Sequence, residues 1–128
     1  MDKPHNPSES FIAYHKDTEQ NVQSIRTQVE KSIGKPISQL RKEYAEDRLF
    51  YLALRHATTT KKAICVALDI PVEGACRYKR RAEKDGLLVQ SIDRYICPCT
   101  RHYAHLLTTN PTEFAGLRQS ADTQQKLF

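Results

Sequence analysis

Hydrophobic residues early in the chain recur at the spacing of an amphipathic helix. Over residues 17–33 they form one narrow apolar stripe: Val22, Ile25, Val29 and Ile33. Asp17 and Thr18 are candidate caps for the start of this helix. The stripe must be buried, either on its own domain or against the same helix of a second subunit. The pattern leaves both alternatives open, so a homodimer through this helix is one expectation.

A longer hydrophobic stretch follows the chain break at residues 34–36, where glycine and proline interrupt any helix. Residues 37–57 predict one long helix, and its buried candidates are Leu40, Tyr44, Leu49, Leu52 and Ala53. The run LFYLAL within it is apolar almost all round. Such a helix is typically central and covered on two sides.

Residues 58–86 predict two short helices joined by a tight turn. The first helix begins after Thr60, whose hydroxyl can cap the free N–H groups of the first turn. The Ile70-Pro71 pair ends it, because proline restricts the residue before it and suits the first turn of a following helix. The second helix spans residues 72–85 and ends at Gly86, which adopts the left-handed conformation without steric cost.

The hydrophobic period changes from helical to alternating after Gly86. Residues 88–96 and 103–109 each favour a strand, and the turn-like segment 97–102 would join them into a hairpin. Asn110-Pro111 ends the second strand, and Thr112 can cap one last helical turn over residues 113–117. The fold class expected from these elements is mainly α with a small β-hairpin, an α+β fold.

The predicted helix 72–85 has two chemically different faces. One side is small and aromatic, with Ala75, Tyr78 and Ala82. The opposite side is cationic and consists of Arg77, Arg80, Arg81 and Lys84, at i, i+3, i+4 and i+7. Such a helix suits the major groove of DNA, where arginine pairs bidentately with guanine and lysine neutralises phosphate. A solvated face of any helix is also commonly charged, so this pattern alone does not distinguish the two.

The string ALDIPVEGACRYKRRAEKDGLLVQ resembles the helix-turn-helix core of winged-helix DNA-binding proteins. The matching positions are Leu68, Asp69, Ile70, Ala75, Tyr78, Ala82, Lys84, Gly86 and Leu87. The resemblance covers about residues 36–110. Two positions depart from the family pattern: Asp69 stands where glycine is usual, and Glu73-Gly74 replaces the usual Ser/Thr pair. Asp tolerates the left-handed region better than most residues, so the turn is expected to survive.

The resemblance implies that helix 72–85 is a recognition helix and that the hairpin is a basic wing. Base edges would face Arg77 and Arg80, with Glu73 and Cys76 near the start of the helix. Phosphates would face Arg81, Lys84, Lys61 and Lys62, and the wing would add Arg94, Arg101 and His102. Arg101 can equally be an exposed loop cation. Winged helices also serve as protein-docking modules without DNA contact, and that alternative stays open.

The hairpin loop indicates a biological context. Its C-P-x-T segment, followed by a strand ending in T-T-N-P, resembles the wing of winged-helix proteins from phages and other bacterial mobile elements. A transcriptional regulator or a mobile-element accessory protein is therefore expected. The net charge of +5 fits a polyanionic partner.

Composition predicts one soluble domain with tails. The expected organisation is a disordered tail over residues 1–10, a helical arm over 11–34, the winged-helix domain over 35–117 and a flexible tail over 118–128. No apolar run approaches a membrane span, and residues 1–10 have no signal-peptide core. The four cysteines do not suggest a disulfide framework, so a reduced, cytoplasmic protein is expected.

Metal binding and catalysis are not expected. Cys97, Cys99, His102 and His105 are the one group with metal-ligand chemistry, but a C-x-C pair in a tight hairpin is poorly shaped for one tetrahedral zinc ion. Acidic residues are scattered rather than clustered as a metal-dependent nuclease requires. Tyr103 could act as a nucleophile beside Arg101 and the two histidines, yet neighbouring strand residues alternate faces and cannot all converge. No cofactor motif is present.

Overall fold

The computed structural model describes the backbone of residues 7–119 and the side chains of residues 18–119. This part of the chain is a mainly helical α+β structure with six helices and a small antiparallel sheet. The elements, in order, are α1 (Pro7–Ile33), α2 (Ile37–Glu43), α3 (Glu46–His56), β1 (Thr59–Thr60), α4 (Lys61–Leu68), α5 (Val72–Lys84), β2 (Val89–Ile96), β3 (Tyr103–Thr108) and α6 (Pro111–Leu117). The strand order in the sheet is β1-β3-β2.

Helix α1 packs on its own domain. Val29 is fully buried and Ile25 nearly so, while Val22 and Ile33 are half-buried against the same core. The apolar stripe therefore contacts α2, α3 and α4 of the same chain, which is the first of the two alternatives. A homodimer through these side chains would require α1 to leave this position.

The N-terminal prediction differs from the structure at its boundaries. Helix α1 begins at Pro7, well before Asp17 and within the segment 1–10 that was expected to be a tail. Thr18 consequently lies inside the helix and is not its cap. Residues 1–6 of the expected N-terminal tail, and residues 120–128 of the expected C-terminal tail, lie outside the described part of the chain.

The prediction of one long helix over residues 37–57 is wrong. The chain is extended at Tyr44 and Ala45, which separates α2 from α3. Leu40 and Leu49 are both buried, yet they are nine residues apart. At about 100° per residue a continuous helix would turn them to opposite sides. The break lets both reach one core, and acidic residues in the first turn of α3 favour a helix N-terminus there.

The segment from β1 to the end of α5 confirms the local predictions. The Thr60 hydroxyl accepts a hydrogen bond from the backbone N–H of Ala63 and so caps α4. Asp69 adopts the left-handed conformation with φ 61°, and Gly86 does so with φ 75° after α5. The short strand β1 was not predicted, because it has only two residues and forms by pairing with β3 at Thr59↔Leu107 and Thr60↔Leu106.

The hairpin has the predicted strands but an irregular register. Strands β2 and β3 pair at Ile96↔Tyr103 and Arg94↔His105, and the register shifts between Gln90 and Arg94. At the shift, the Ser91 hydroxyl accepts from the backbone N–H of Leu106 and donates to the Asp93 carbonyl. This β-bulge replaces ladder bonds with side-chain bonds, so strict alternation does not run along the whole of β2.

The C-terminal helix α6 packs on β2 and β3. Its cap is Asn110, whose side-chain oxygen accepts from the backbone N–H of Thr112 at 3.1 Å. Thr112 itself is the first-turn donor rather than the predicted cap.

None of the helices in residues 7–119 is both long and apolar enough to cross a lipid bilayer.

Candidate nucleic-acid interface

The inner face of α5 is fixed by three side chains. Ala75 is fully buried, and Tyr78 and Ala82 are half-buried against the core. The Tyr78 ring lies 6.0 Å from the Phe50 ring, centroid to centroid. Its hydroxyl donates a 2.7 Å hydrogen bond to Glu46 Oε1, and this bond raises the pKa of Tyr78. Packing and hydrogen bond together set the rotation of α5 about its axis.

Gly74 allows the first turn of α5 to approach α3 closely. An added Cβ would lie 3.3 Å from Glu46 Oε1 and 3.3 Å from the Tyr78 hydroxyl. These distances are tighter than an ordinary carbon–oxygen contact. The glycine that departs from the family pattern is thus explained by the neighbouring Tyr78–Glu46 hydrogen bond.

The outer face of α5 is cationic and exposed. It consists of Arg77, Arg80, Arg81 and Lys84. Within residues 18–119 none of these four side chains has an ion-pair partner, whereas Lys79 on the same helix pairs with Glu83 at 3.2 Å. Unpaired cations remain available for an external anion. These four side chains form the cationic face of α5.

Helix α4 extends the cationic face at its N-terminus. The Lys62 side chain is exposed, and Lys61 lies across to α5, where its Nζ donates to Cys76 Sγ at 3.1 Å. Glu73 is exposed in the first turn of α5. Cys76 is half-buried and accepts this hydrogen bond at the edge of the face, so its thiol contacts a lysine.

The hairpin is joined to the start of α4 through a buried contact. The Thr60 hydroxyl and the Cys97 thiol share a hydrogen bond with Oγ1–Sγ 2.9 Å. Burial raises the pKa of the Cys97 thiol, but hydrogen bonds from Thr60, Thr100 and the Cys99 backbone outweigh it and the net pKa is lowered. The capping residue of α4 therefore also holds the end of β2.

The hairpin loop, residues 97–102, is anchored to the rest of the structure. Cys97 and Cys99 are buried in the core, and helix α1 binds the loop carbonyls. Arg101 is exposed in the loop and has φ 64°. Arg94 is exposed on β2, directly opposite His105. Both predicted wing arginines therefore reach solvent.

The four residues with metal-ligand chemistry do not converge. Cys97 and Cys99 are buried, His102 is exposed, and the His105 ring lies 2.8 Å from the Ser91 carbonyl. Among the described residues no group of three or more histidine, cysteine or acidic side chains is placed to hold a metal ion.

Sequence reasoning missed two residues that shape this interface. Asn21 Nδ2 donates to the Pro98 carbonyl at 3.0 Å, and Thr18 Oγ1 donates to the Cys99 carbonyl at 3.3 Å. They are three residues apart and therefore lie on one side of α1. Their polarity beside the apolar stripe was visible, but their partners are 77 and 81 positions away in the chain.

Comparison of this chain with models of known families, with curated proteins and with solved structures finds no match.

Proposed function

We propose that this protein binds double-stranded DNA as a winged helix-turn-helix, with α5 in the major groove. The observation that carries the proposal is the cationic face, whose four cations have no ion-pair partner among residues 18–119 and lie away from a packed inner face. The order α3, β1, α4, α5 and the β2–β3 hairpin, with strand order β1-β3-β2, suits that fold. A regulator of transcription and an accessory factor of a mobile element both need such a module.

The dimensions of α5 suit the groove. A helix with side chains is about 10–12 Å across, and the major groove is about 12 Å wide. Arg77 and Arg80 lie in the central part of α5, where they can pair with guanine O6 and N7. Glu73, one turn earlier, can accept from the cytosine amino group and disfavours phosphate at that position. Arg81 and Lys84 lie further along and would contact backbone phosphates.

The N-terminus of α4 supplies a second phosphate contact. The helix dipole favours an anion at this end, beside the Thr60 hydroxyl that caps the Ala63 N–H. Lys62 is exposed there, and Lys61 is held between α4 and α5 by its bond to Cys76. These two lysines would place one DNA strand alongside α4 while α5 reads base edges.

The test separates base reading from phosphate binding. DNA sites selected by the wild-type protein and by Arg77→Ala should differ at one or two positions, with a loss of about 1–3 kcal/mol at the affected base. Lys84→Ala should keep the wild-type preference, bind all sequences more weakly and lower the salt slope by about 0.9. The opposite pattern would reverse the assigned roles. If neither the wild type nor the variants selected any preferred sequence, base reading would be refuted.

A protein-docking role is the second candidate, and the hairpin surface favours it. Four large apolar side chains on β2 and β3 are exposed: Ile92, Tyr95, Ile96 and Tyr103. Ile96 and Tyr103 are directly opposite each other, so they share one face. If docking is the function, an Ile96→Ser/Tyr103→Ser variant should lose its partner, while DNA retention should be weak and unaffected by loss of the cationic face.

A further inference from the structure

Helix α1 makes four hydrogen bonds to three other segments of the domain, through side chains that donate to main-chain carbonyls. The four bonds are Thr18 to Cys99, Asn21 to Pro98, Arg26 to Ala67 and Gln28 to His56. The first two hold the hairpin loop, the third meets the last turn of α4, and the fourth meets the last turn of α3. The whole set lies within three turns of one helix.

The hairpin loop has a conformation that needs such support. Arg101 has φ 64°, a region that disfavours every residue with a side chain relative to glycine. Its backbone N–H donates to the Cys97 carbonyl, and the Cys97 N–H donates to the His102 carbonyl. Such a backbone conformation persists only where surrounding contacts determine it, and it is concentrated at functional positions.

We propose that α1 positions the hairpin loop for DNA binding, with Asn21 and Thr18 as positioning residues that act through Arg101. The inference rests on the proposed DNA-binding function and adds a role for the N-terminal helix. Thr60 holds the loop from the α4 side and Asn21 holds it from the α1 side. The loop that carries Arg101 is thereby held against both α4 and α1.

The physical gain is preorganisation. A loop that is ordered before binding loses little conformational entropy when its arginine meets a phosphate, whereas a loose loop must be ordered at that moment. Removing the Asn21 side chain leaves Arg101 in the sequence but frees the segment that carries it. Affinity should therefore fall although no DNA-contacting residue is changed.

The experiment is a double-mutant cycle of Asn21→Ala and Arg101→Ala, measured as dissociation constants on the site selected by the wild-type protein. Arg101→Ala should weaken binding about five- to tenfold, equal to about 1–1.4 kcal/mol. Asn21→Ala should weaken it about three- to fivefold, and the double variant should be little weaker than Arg101→Ala alone. Gln28→Ala removes a similar bond to α3 and should bind as the wild type does.

The salt dependence separates positioning from general destabilisation. Loss of one phosphate contact lowers the slope of log affinity against log salt by about 0.9. Arg101→Ala should show that decrease, Asn21→Ala should show part of it, and Gln28→Ala none. Additive effects of Asn21→Ala and Arg101→Ala, or equal weakening by Gln28→Ala, would overturn the inference.

Failure of this inference is distinguishable from failure of the proposed function. If an Arg77→Ala/Arg80→Ala/Arg81→Ala variant loses DNA but Asn21→Ala does not weaken binding, only the positioning role is wrong. If the triple variant retains wild-type affinity, the DNA-binding proposal itself is wrong.

Discussion

Thr60 joins two parts of the structure through one hydroxyl, and its replacement by valine tests both contacts together. The side chain is fully buried, caps α4 through the Ala63 N–H and shares a hydrogen bond with the Cys97 thiol. Thr60→Val keeps a branched side chain of similar shape but removes the hydroxyl. The change therefore affects polar contacts more than packing.

The magnitude follows from the two contacts. Loss of a helix cap costs about 0.5–2 kcal/mol, and loss of an intramolecular hydrogen bond costs about 0.5–1.5 kcal/mol. Thr60→Val should therefore lower the free energy of unfolding by about 2 kcal/mol. Thr60→Ser is the matched control, because it keeps the hydroxyl and removes one methyl group, which costs about 1 kcal/mol in a buried site.

The assay is urea denaturation of the three proteins, followed by circular dichroism. The denaturation midpoint should fall in the order wild type, Thr60→Ser, Thr60→Val, with the slope m unchanged. A valine variant as stable as the serine variant would contradict the assigned role of the hydroxyl. A change in m would mean that the denatured state, rather than the cap, had been altered.

Three further substitutions address pH, the α5 anchor and the loop. Burial raises the pKa of Cys65 to about 11 from its ordinary 9.0. The unfolded chain then loses its thiol proton first, so the free energy of unfolding falls by up to about 3 kcal/mol between pH 9 and pH 11. Urea titrations across this range should show a shallower loss for Cys65→Ala. Tyr78→Phe removes the bond to Glu46 and should lower the free energy of unfolding by about 1 kcal/mol. Glu46→Gln should lower it less, and thermal unfolding of both variants measures the difference. Arg101→Gly should be more stable than Arg101→Ala by about 0.5 kcal/mol, because both lack the arginine side chain and only glycine relieves φ 64°. Both should weaken DNA binding in a titration, and equal stability of the two variants would show that φ 64° is not strained.

The segment from Thr60 to Gly86 was predictable because its determinants are local. A capping hydroxyl, an Ile-Pro stop and a glycine after the last turn act over three or four residues, and each is found at the predicted position. The exposed arginines of α5 follow from the same periodicity. Local determinants of this kind can be recognised in a single sequence.

The features that were mispredicted depend on distant partners. The break at Tyr44 arises because Leu40 and Leu49 must reach one core, and no residue at the break signals it strongly. Strand β1 exists only through its pairing with β3. The bond from Asn21 to the Pro98 carbonyl links residues far apart in sequence, so the anchoring of the hairpin loop was not visible in either segment alone.

DNA binding by the cationic face of α5 is tested most directly by one titration with a charge-matched control. The test variant is Arg77→Ala/Arg80→Ala/Arg81→Ala, and the control is Lys31→Ala/Lys42→Ala/Arg55→Ala, whose exposed cations lie on α1, α2 and α3. Each removes three charges and lowers the net charge from +5 to about +2. Binding to a double-stranded DNA library should be lost in the test variant and nearly retained in the control. Equal loss in both, or full retention in the test variant, would contradict a DNA-binding role for α5.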